Sequence, residues 1–240
     1  MTELLYLDDP EFKTFDATVT EVIENTGVVL DRTAFYPGGG GQPVDTGSLT
    51  TPTGEVAVTG MKRIDGKIVH LLADGSQFPE AGACVQGSID WDTRYRLMRT
   101  HTAMHVLCGV VWKDFGAQVT GGNMGPERAR MDFELEDLSE ERVQHIEGRC
   151  NDIIGERRTV SWKTLPREEA FQIPDLIRTK INLLPEHITE VRIVEIEGLD
   201  IQADGGTHVK NTVEIGGLKI VGTRSKGKAN KRLEIEIVDL

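Results

Sequence analysis

Hydrophobic and polar residues alternate in short runs over the first third of the chain. The runs cover residues 17–23, 28–36 and 55–58, and turn-forming residues separate them. Alternation of this kind is typical of strands that are buried on one face. The pair Asp65-Gly66 is the strongest hairpin signal among the turns. Short strands at such regular spacing predict a small β-barrel or a sandwich.

The pattern changes after this region, where longer segments with helical periodicity begin. We predict a helix that Asp92 caps and that runs to Asp114, with Gly116 beyond its end. A second helix should run from a Ser139 cap to about Arg157. Further strands are predicted at 129–135, 191–196, 218–221 and 233–238.

These elements predict an α+β fold with two domains. Residues 1–92 would form a β-barrel-like domain, which carries a glycine-rich run. Residues 93–240 would form a two-layer domain in which helices lie on an antiparallel sheet.

Composition indicates the class of protein. The chain has 240 residues, of which 38% are hydrophobic and 28% charged, as in soluble globular proteins. It has no apolar run long enough to span a membrane and no basic segment before its first apolar stretch, so we expect a cytoplasmic protein without a membrane partner. Three widely spaced cysteines without a Cys-x-x-Cys pair indicate neither a disulfide framework nor a thiolate zinc knuckle.

The net charge of −12 argues against broad, nonspecific adhesion to nucleic acid, so any RNA contact must be local. A dense basic cluster lies between the last two predicted strands, where a hairpin tip could present it to phosphates. For a second basic group, Arg94, Arg96 and Arg99, a solvated face is the better interpretation. The candidate RNA-binding residues at the tip are Lys226, Lys228, Lys231 and Arg232, with a solvated face again as the alternative.

Two short segments, about a hundred residues apart, carry candidate metal ligands. His101 and His105 are four residues apart, so their imidazoles would be neighbours on the long predicted helix. The rest of their helical stripe is apolar and should face the interior. Asp204 and His208 flank a Gly-Gly pair that allows a sharp turn, and they could complete a metal-dependent hydrolytic centre. The alternative is a pair of core histidines that are satisfied by hydrogen bonds.

A glycine-rich run, Thr33-Ala-Phe-Tyr-Pro-Gly-Gly-Gly-Gly-Gln42, is the remaining unusual feature. It is not a P-loop because no Lys-Ser or Lys-Thr follows it, and it is not a dinucleotide fingerprint because no helix follows it. Glycines in a loop allow the backbone to pass close to a ligand or to a second domain, which would explain this run. A flexible hairpin loop is the alternative.

Together these segments resemble the editing region of alanyl-tRNA synthetase and the medium form of its freestanding relatives, the AlaX-type editing proteins. The motifs occur in the family's order in both halves of the chain and are more specific together than singly. Most of the intervening sequence matches no family motif. The matching motifs are Thr33-x-Phe-Tyr-Pro-x-Gly-Gly-Gly-Gln with Asp45-x-Gly47, Arg99-x-His101-Thr-Ala-x-His105, and Gly205-Gly-Thr-His208-Val with Thr212.

The resemblance implies hydrolysis of the ester that joins a wrong amino acid to the 3′ adenosine of tRNA(Ala). The wrong amino acid would be chiefly serine, with glycine as a second candidate. The partner would be this mischarged tRNA, and we predict no obligate protein partner. One zinc ion per chain is implied, with His101, His105 and His208 as its ligands and as catalytic residues. The implied substrate-binding residues are Thr33, which would recognise the seryl hydroxyl, Gly39, Gly40, Gly41, Gln42 and Thr207.

Asp204 departs from the family pattern, which usually has cysteine at this position. Aspartate binds zinc at a similar distance, so zinc stays the expected ion and Asp204 the expected fourth ligand and catalytic residue. Two alternatives are open: Asp204 could orient a histidine from outside the shell, or the site could prefer another divalent ion. The metal would either activate a water or anchor the aminoacyl end of the substrate.

Two other functions compete with editing. A zinc peptidase of the His-Glu-x-x-His type is disfavoured because Thr102 stands where the general-base glutamate of that motif would be. A non-catalytic RNA-binding module with a structural metal site is the open alternative, since a filled four-ligand shell is typical of structural zinc.

Overall fold

Six strands in the amino-terminal part of the chain close into a β-barrel in the computed structural model, which describes residues 2–52, 54–181, 184–186 and 188–239. The barrel lies in the first of two compact units, Met1–Tyr95 (the barrel unit) and Arg96–Leu240 (the second unit). The elements of the barrel unit are β1 (Glu3–Leu4), α1 (Leu5–Asp8), β2 (Thr14–Ile23), β3 (Gly27–Leu30), β4 (Arg32–Thr33), β5 (Gly47–Thr51), β6 (Gly54–Ile64), β7 (Lys67–Leu72) and β8 (Cys84–Ile89). Around the barrel the order is β2-β3-β7-β6-β5-β8, and neighbouring strands are antiparallel.

The predicted hairpin at Asp65-Gly66 is confirmed. Both residues have positive φ, 49° and 77°, as a two-residue type I′ turn requires. Ile64 pairs with Lys67 across the turn, which joins β6 to β7. The inward side chains of the strands form one apolar core, which includes Phe15, Leu30, Phe35 and Leu49.

The prediction of one continuous strand over residues 28–36 is wrong, because the chain bends at Asp31 between β3 and β4. The Asp31 carboxylate accepts hydrogen bonds from the N–H groups of Thr18 (2.7 Å) and Arg32 (2.9 Å). A side chain that binds backbone N–H groups in this way replaces part of a strand ladder. After the bend, β4 pairs in parallel with β1.

The long helix α2 (Trp91–Phe115) begins in the barrel unit and continues into the second unit. Its predicted end is confirmed, because Gly116 adopts a φ of 64° directly after the last turn. The predicted cap is wrong. Asp90, not Asp92, caps the helix, since its carboxylate accepts the Thr93 N–H at 3.3 Å.

The stripe that carries His101 and His105 faces the interior, which confirms the prediction, and burial extends beyond it, because the helix is buried on every face over residues 100–111. Thr102 satisfies its hydroxyl inside the helix by donating to the Met98 carbonyl at 2.8 Å. Gly109 allows close packing, because a Cβ at that position would lie 2.8 Å from Cγ of Leu199. Because these side chains are small or make their hydrogen bonds within the helix, neighbouring segments can cover the faces of the helix outside the stripe.

Two antiparallel sheets and a second long helix form the rest of the second unit. Its elements after α2 are β9 (Val119–Met124), β10 (Arg128–Phe133), α3 (Glu140–Gly155), β11 (Val160–Pro166), α4 (Arg167–Ala170), β12 (Glu190–Ile196), β13 (Asp200–Ala203), a 3₁₀ turn (Thr212–Ile215), β14 (Gly217–Ser225) and β15 (Lys231–Val238). One sheet has the order β14-β15-β10-β9 and the other β11-β12-β13.

Helix α3 lies on the first of these sheets, which confirms the predicted α+β fold. Its predicted cap is confirmed, since Ser139 Oγ accepts the Arg142 N–H at 3.2 Å. Asn151 holds the helix to β14 by two hydrogen bonds with the backbone of Leu218, at 2.8 and 2.9 Å. The domain limits 1–92 and 93–240 stay a prediction. No helix in the described part of the chain is both long enough and apolar enough to cross a membrane.

Candidate metal centre

Three histidines and one aspartate of the second unit converge on one point. His101 and His105 come from α2, and Asp204 and His208 come from the loop after β13. One ligand atom from each of the four residues lies within 4.8 Å of the others. The Asp204 carboxylate is 3.4 Å from His101 Nε2 and 3.8 Å from Nε2 of both His105 and His208. The structure therefore brings together all four predicted ligands.

Backbone contacts hold the loop that carries Asp204 and His208. One oxygen of Asp204 accepts the Gly206 N–H at 2.6 Å, which forms a tight turn and leaves the other oxygen towards His101 and His105. The guanidinium of Arg192 donates to the Gly206 carbonyl at 2.9 Å. These contacts explain how two residues outside a helix or strand reach a defined position.

A further hydrogen bond joins this loop to the long helix. The N–H of Val209 donates to Thr102 Oγ1 at 3.2 Å. Since Thr102 follows His101 on α2 and Val209 follows His208 in the loop, the bond fixes the spacing of the two ligand-bearing segments. The Thr102 hydroxyl thus has a structural role between the histidines.

The three imidazoles are buried, and one of them makes no hydrogen bond to the part of the chain that the structure describes. His101 and His105 are 4% and 5% exposed, and His208 is fully buried. Neither ring nitrogen of His208 has a hydrogen-bond partner among the residues that the structure describes. An unsatisfied buried polar group costs about 1–3 kcal/mol, so native proteins rarely leave one without a ligand or water.

A metal ion fits these donors. Zinc–nitrogen bonds of about 2.0–2.1 Å place the atoms of a tetrahedral shell about 3.4 Å apart. The distances of 3.4 and 3.8 Å from Asp204 Oδ2 to Nε2 of His101 and of His105 are close to that value. Imidazole nitrogens with one carboxylate oxygen form a donor set that suits zinc.

The electrostatics of the cluster favour a cation at its centre. Burial acts to raise the pKa of Asp204, but the charge and hydrogen bond of His101 hold it well below its ordinary value. Burial and repulsion from His101 and His105 lower the pKa of His208 well below its ordinary value, so this ring is neutral. Burial acts to lower the pKa of His105, but hydrogen bonds to Asp200 and Asp204 raise it to about 9. A metal would replace the proton that His105 otherwise carries.

Sequence reasoning missed a second group of side chains behind His105. Asp200 Oδ2 lies 3.2 Å from His105 Nδ1 and accepts a hydrogen bond from Gln202 at 2.6 Å. Its other oxygen accepts from Arg178 Nε at 3.3 Å. The signal in the sequence is the alternation of polar residues at 200 and 202, which places both on one face of a strand that ends just before Asp204.

The glycine-rich run belongs to the barrel unit and is an ordered turn. Gly39 and Gln42 exchange backbone hydrogen bonds at 2.9 and 3.2 Å, and all four glycines have positive φ, which explains their residue type. Gly39 and Gly40 are exposed, Gly41 is half-buried and Gln42 is buried.

Thr33, at the start of this run, is fully buried. Its hydroxyl lies 2.8 Å from Nε2 of His70 and accepts the Phe35 N–H at 3.1 Å. Nδ1 of His70 faces the Val28 carbonyl at 3.2 Å, which only accepts, so Nδ1 carries the proton and Thr33 donates to Nε2. In the second unit, Thr207 is buried next to His208.

The predicted basic tip divides into two pairs of residues. Lys226 and Lys228 are exposed in the turn between β14 and β15. Lys231 is buried and donates from Nζ to the carbonyls of Gly227 (2.9 Å) and Lys228 (3.1 Å). Arg232 forms a bidentate pair with Asp132 at 2.7 and 2.9 Å.

The interpretation of Arg94, Arg96 and Arg99 as a solvated face is wrong for two of the three. Arg94 is fully buried in the barrel unit, where it pairs with Asp45 and donates to backbone carbonyls. Arg99 donates to the Ile215 carbonyl at 2.8 Å. Only Arg96 is exposed, with a 3.6 Å ion pair to Glu127.

Comparison with known proteins gives matches to both units. Residues 7–93 match the family model of class II (A) tRNA synthetases, and residues 191–234 match that of the second additional domain of threonyl and alanyl tRNA synthetases. The alanyl-tRNA editing protein AlaX-M of Methanosarcina barkeri is 44% identical over 100% of both chains. The AlaX-M protein of Saccharolobus solfataricus is 44% identical over 97% of this chain and 98% of its own. The alanine–tRNA ligase of Pyrococcus furiosus is 41% identical over 92% of this chain but only 24% of the ligase.

Proposed function

This chain belongs to the AlaX-M family of alanyl-tRNA editing proteins, and from that membership we propose that it hydrolyses the ester of seryl-tRNA(Ala), with glycyl-tRNA(Ala) as a second substrate. It is an aminoacyl-tRNA deacylase. Physical chemistry explains why such an enzyme is needed. A pocket that selects alanine by size rejects the added hydroxyl of serine poorly, so a second site must remove serine after the transfer to tRNA. We propose that it acts in the cytoplasm.

The observation that carries the proposal is the convergence of four ligand atoms, one of them from a buried histidine that has no hydrogen-bond partner among the described residues. We assign His101, His105, Asp204 and His208 as the ligands of one zinc ion. When bound, zinc would supply Lewis acidity at the reacting end of the aminoacyl ester. The carboxylate of Asp204 takes the place of the family's usual cysteine and offers one anionic donor, as a thiolate would.

The partly exposed edge of the cluster is where an aminoacyl end can enter. The Asp204 side chain is 17% exposed, and the next residue, Gly205, is exposed, whereas the three histidine rings are buried. The loop therefore forms the entrance, and the rings form the floor. The leaving group is a ribose hydroxyl of an activated ester, which needs less assistance than an amide, so a nucleophilic triad is not required.

We assign recognition of the seryl hydroxyl to Thr33 together with Gly39, Gly40, Gly41 and Gln42, and we place Thr207 in the substrate site beside His208. The proton of the Thr33 hydroxyl is committed to His70 and one of its lone pairs to Phe35 N–H. A hydroxyl has two lone pairs. The remaining lone pair of Thr33 is the acceptor that we assign to the O–H of a seryl group, which glycine and alanine lack, and because Thr33 is fully buried, binding must displace the residues that cover it.

The basic tip supplies the contact with tRNA phosphates in this proposal. Lys226 and Lys228 are exposed and would approach the backbone of the RNA. Lys231 and Arg232 hold the hairpin through their internal hydrogen bonds and set the direction of the tip. A local contact of this kind is compatible with a net charge of −12.

The test is deacylation of purified seryl-, glycyl- and alanyl-tRNA(Ala) by substoichiometric protein. We expect many turnovers on the seryl ester, fewer on the glycyl ester and little release of alanine. His105→Ala should abolish serine release, because it removes a ligand from the cluster. His145→Ala is the matched control, since His145 lies on the exposed part of α3 and its described contacts are with Asp114 and Phe115, not with the cluster.

Two results would overturn the proposal. Undiminished serine release by His105→Ala refutes the metal role. A protein that protects seryl-tRNA(Ala) from spontaneous hydrolysis but does not turn it over is the RNA-binding module with a structural metal site.

A further inference from the structure

A buried carboxylate stands directly behind one proposed metal ligand. The side chain of Asp200 is fully buried, and its Oδ2 lies 3.2 Å from Nδ1 of His105. The opposite nitrogen of this ring, Nε2, faces Asp204 at 3.8 Å. We propose that Asp200, oriented by Arg178, is a positioning residue that fixes the tautomer of His105 so that Nε2 presents its lone pair to the metal. This inference rests on the zinc site of the proposed function.

Asp200 determines which nitrogen of His105 holds the proton. A carboxylate accepts hydrogen bonds and cannot donate one, so Asp200 retains the proton of His105 on Nδ1. The proton on Nε2 is then the one that a metal displaces. Ligand histidines usually donate their second N–H to a carboxylate, carbonyl or water, which sets the ring orientation and its basicity.

Arg178 holds Asp200 in place. Arg178 donates from Nε to Oδ1 of Asp200 at 3.3 Å, on the side away from His105. The guanidinium is itself fixed, because it lies 4.8 Å over the ring of Trp112 and donates to the Asp175 carbonyl at 2.8 Å. Arginine has donors only and keeps its charge, so it requires an acceptor at Oδ1 under all conditions.

The substitution Asp200→Asn distinguishes this arrangement from ordinary packing. In Asp200→Asn, one oxygen becomes an NH₂ group, which cannot face Arg178 because both groups donate. The amide must therefore direct its NH₂ group at His105 Nδ1. Gln202 Nε2 donates to Oδ2 at 2.6 Å and lies farther, 3.4 Å, from His105 Nδ1, so on rotation the Gln202 amide oxygen accepts from the new NH₂ group, which is the nearer of the two. A donor at Nδ1 forces the proton onto Nε2, and His105 loses the lone pair that would bind the metal.

The experiment compares zinc affinity in four proteins, measured by competition with a chelating dye in the absence of tRNA. They are the unchanged protein, the two single variants and the double variant. Asp200→Asn should bind zinc about 10- to 100-fold more weakly than the unchanged protein. Arg178→Met, which keeps an apolar stem against Trp112, should retain most of the affinity. In the double variant the new amide at position 200 is free to rotate, so most of the affinity lost in Asp200→Asn should return.

Controls separate this role from loss of structure and from failure of the zinc proposal. Asp132→Asn breaks another aspartate–arginine pair of the second unit, with Arg232, and should leave zinc affinity unchanged. If the double variant binds zinc no better than Asp200→Asn, the tautomer role is refuted. If the unchanged protein binds no zinc, both the zinc site and this inference are wrong.

Nitrogen-15 NMR of the zinc-loaded, unchanged protein tests the same point without a variant. The imidazole of His105 should carry its proton on Nδ1 and bind the metal through Nε2. A proton on Nε2, with the metal on Nδ1, would overturn the inference even if all variants fail to fold.

Discussion

Two buried histidines, one in each unit, have the same exposure but opposite hydrogen-bond environments. His70 in the barrel and His208 in the cluster are both 0% exposed. Each ring nitrogen of His70 has a protein partner, the Val28 carbonyl and the Thr33 hydroxyl. His208 has a partner at neither nitrogen within the described ranges of the chain. Burial alone therefore does not identify a functional histidine, whereas an unsatisfied ring nitrogen indicates a missing ligand.

Both rings are in the same protonation state, so protonation does not explain the difference in their hydrogen-bond partners. Burial lowers the pKa of His70 to about 4, and burial with electrostatic repulsion from His101 and His105 holds the pKa of His208 well below its ordinary value. Both rings are neutral near pH 7. Of the two rings, His208 is the one without a hydrogen-bond partner among the described residues, and it contributes a ring nitrogen to a group with three other ligand atoms.

Replacing each ring by leucine should separate the two histidines by the largest effect. His208→Leu removes a zinc ligand but no protein hydrogen bond, so the metal-free protein should unfold at an unchanged or higher temperature. Its deacylation of seryl-tRNA(Ala) should fall by at least about 100-fold, as expected for loss of a catalytic metal. Thermal unfolding with and without zinc, together with the deacylation assay, measures both properties. A large drop in the stability of the metal-free variant would show that His208 is a structural core residue.

The matched replacement, His70→Leu, should behave in the opposite way. It leaves the Thr33 hydroxyl and the Val28 carbonyl without their partner, which should cost about 1–3 kcal/mol of unfolding free energy for each group left unsatisfied. Zinc affinity should not change. Urea unfolding and dye competition measure the two quantities, and a parallel loss of zinc binding contradicts the assignment of His70 as structural.

The pH dependence of the unfolding free energy gives a further test of His70, because the folded-state pKa of His70 lies below its unfolded value. Between about pH 6.5 and pH 4, the unfolded chain binds a proton that the folded barrel does not. Unfolding free energy therefore falls as the pH is lowered through this window, by at most about 3 kcal/mol for this group. The slope should be smaller in His70→Leu. Equal slopes for both proteins would contradict the buried, neutral state of His70.

Local signals in the sequence predicted much of the fold and the four proposed ligands. The Asp65-Gly66 turn, the Ser139 cap and Gly116 after α2 depend on near neighbours in the chain, and each is confirmed. The pair His101 and His105 depends on helical spacing alone. Interactions between residues that are close in the chain can be predicted from residue type and spacing.

The features that were missed depend on contacts between distant segments. Arg94 reads as a solvated cation, but the fold places it against Asp45 and buries it. Asp200 reads as a loop residue until β13 places it behind His105. Asp90 and Asp92 are both acceptable caps by residue type, and only the backbone path selects Asp90. Tertiary packing decides these cases, so spacing along the chain cannot predict them.

Replacing Asp204 by cysteine, the family's usual residue, tests whether Asp204 is a metal ligand, as we propose for His208. Asp204→Cys exchanges a carboxylate for a thiolate, and both are anionic zinc donors, so zinc affinity should stay within about tenfold of the unchanged protein. Asp204→Asn keeps the shape but removes the charge and should bind zinc more weakly than either. If Asp204→Asn binds zinc as tightly as the unchanged protein, Asp204 lies outside the shell.

The smallest effect should come from applying the same comparison to the cations of the basic tip. Lys231 and Arg232 already have internal partners, whereas Lys226 and Lys228 are exposed and available for phosphate. The double variant Lys226→Ala, Lys228→Ala should raise KM by a few fold at low salt and leave kcat unchanged, because these residues position the RNA and do not touch the ester.

The salt dependence identifies the cause of this effect. Each lost phosphate contact should reduce the slope of log KM against log salt by about 0.7–0.9. Lys163→Ala, which removes an exposed lysine from β11 on the other sheet, is the control and should not alter the slope. If the tip variant and this control give the same slope, the two exposed lysines contact tRNA no more than any other solvated lysine of this acidic protein. Having an internal partner would then distinguish His70 from His208 but would not distinguish the buried from the exposed cations of the tip.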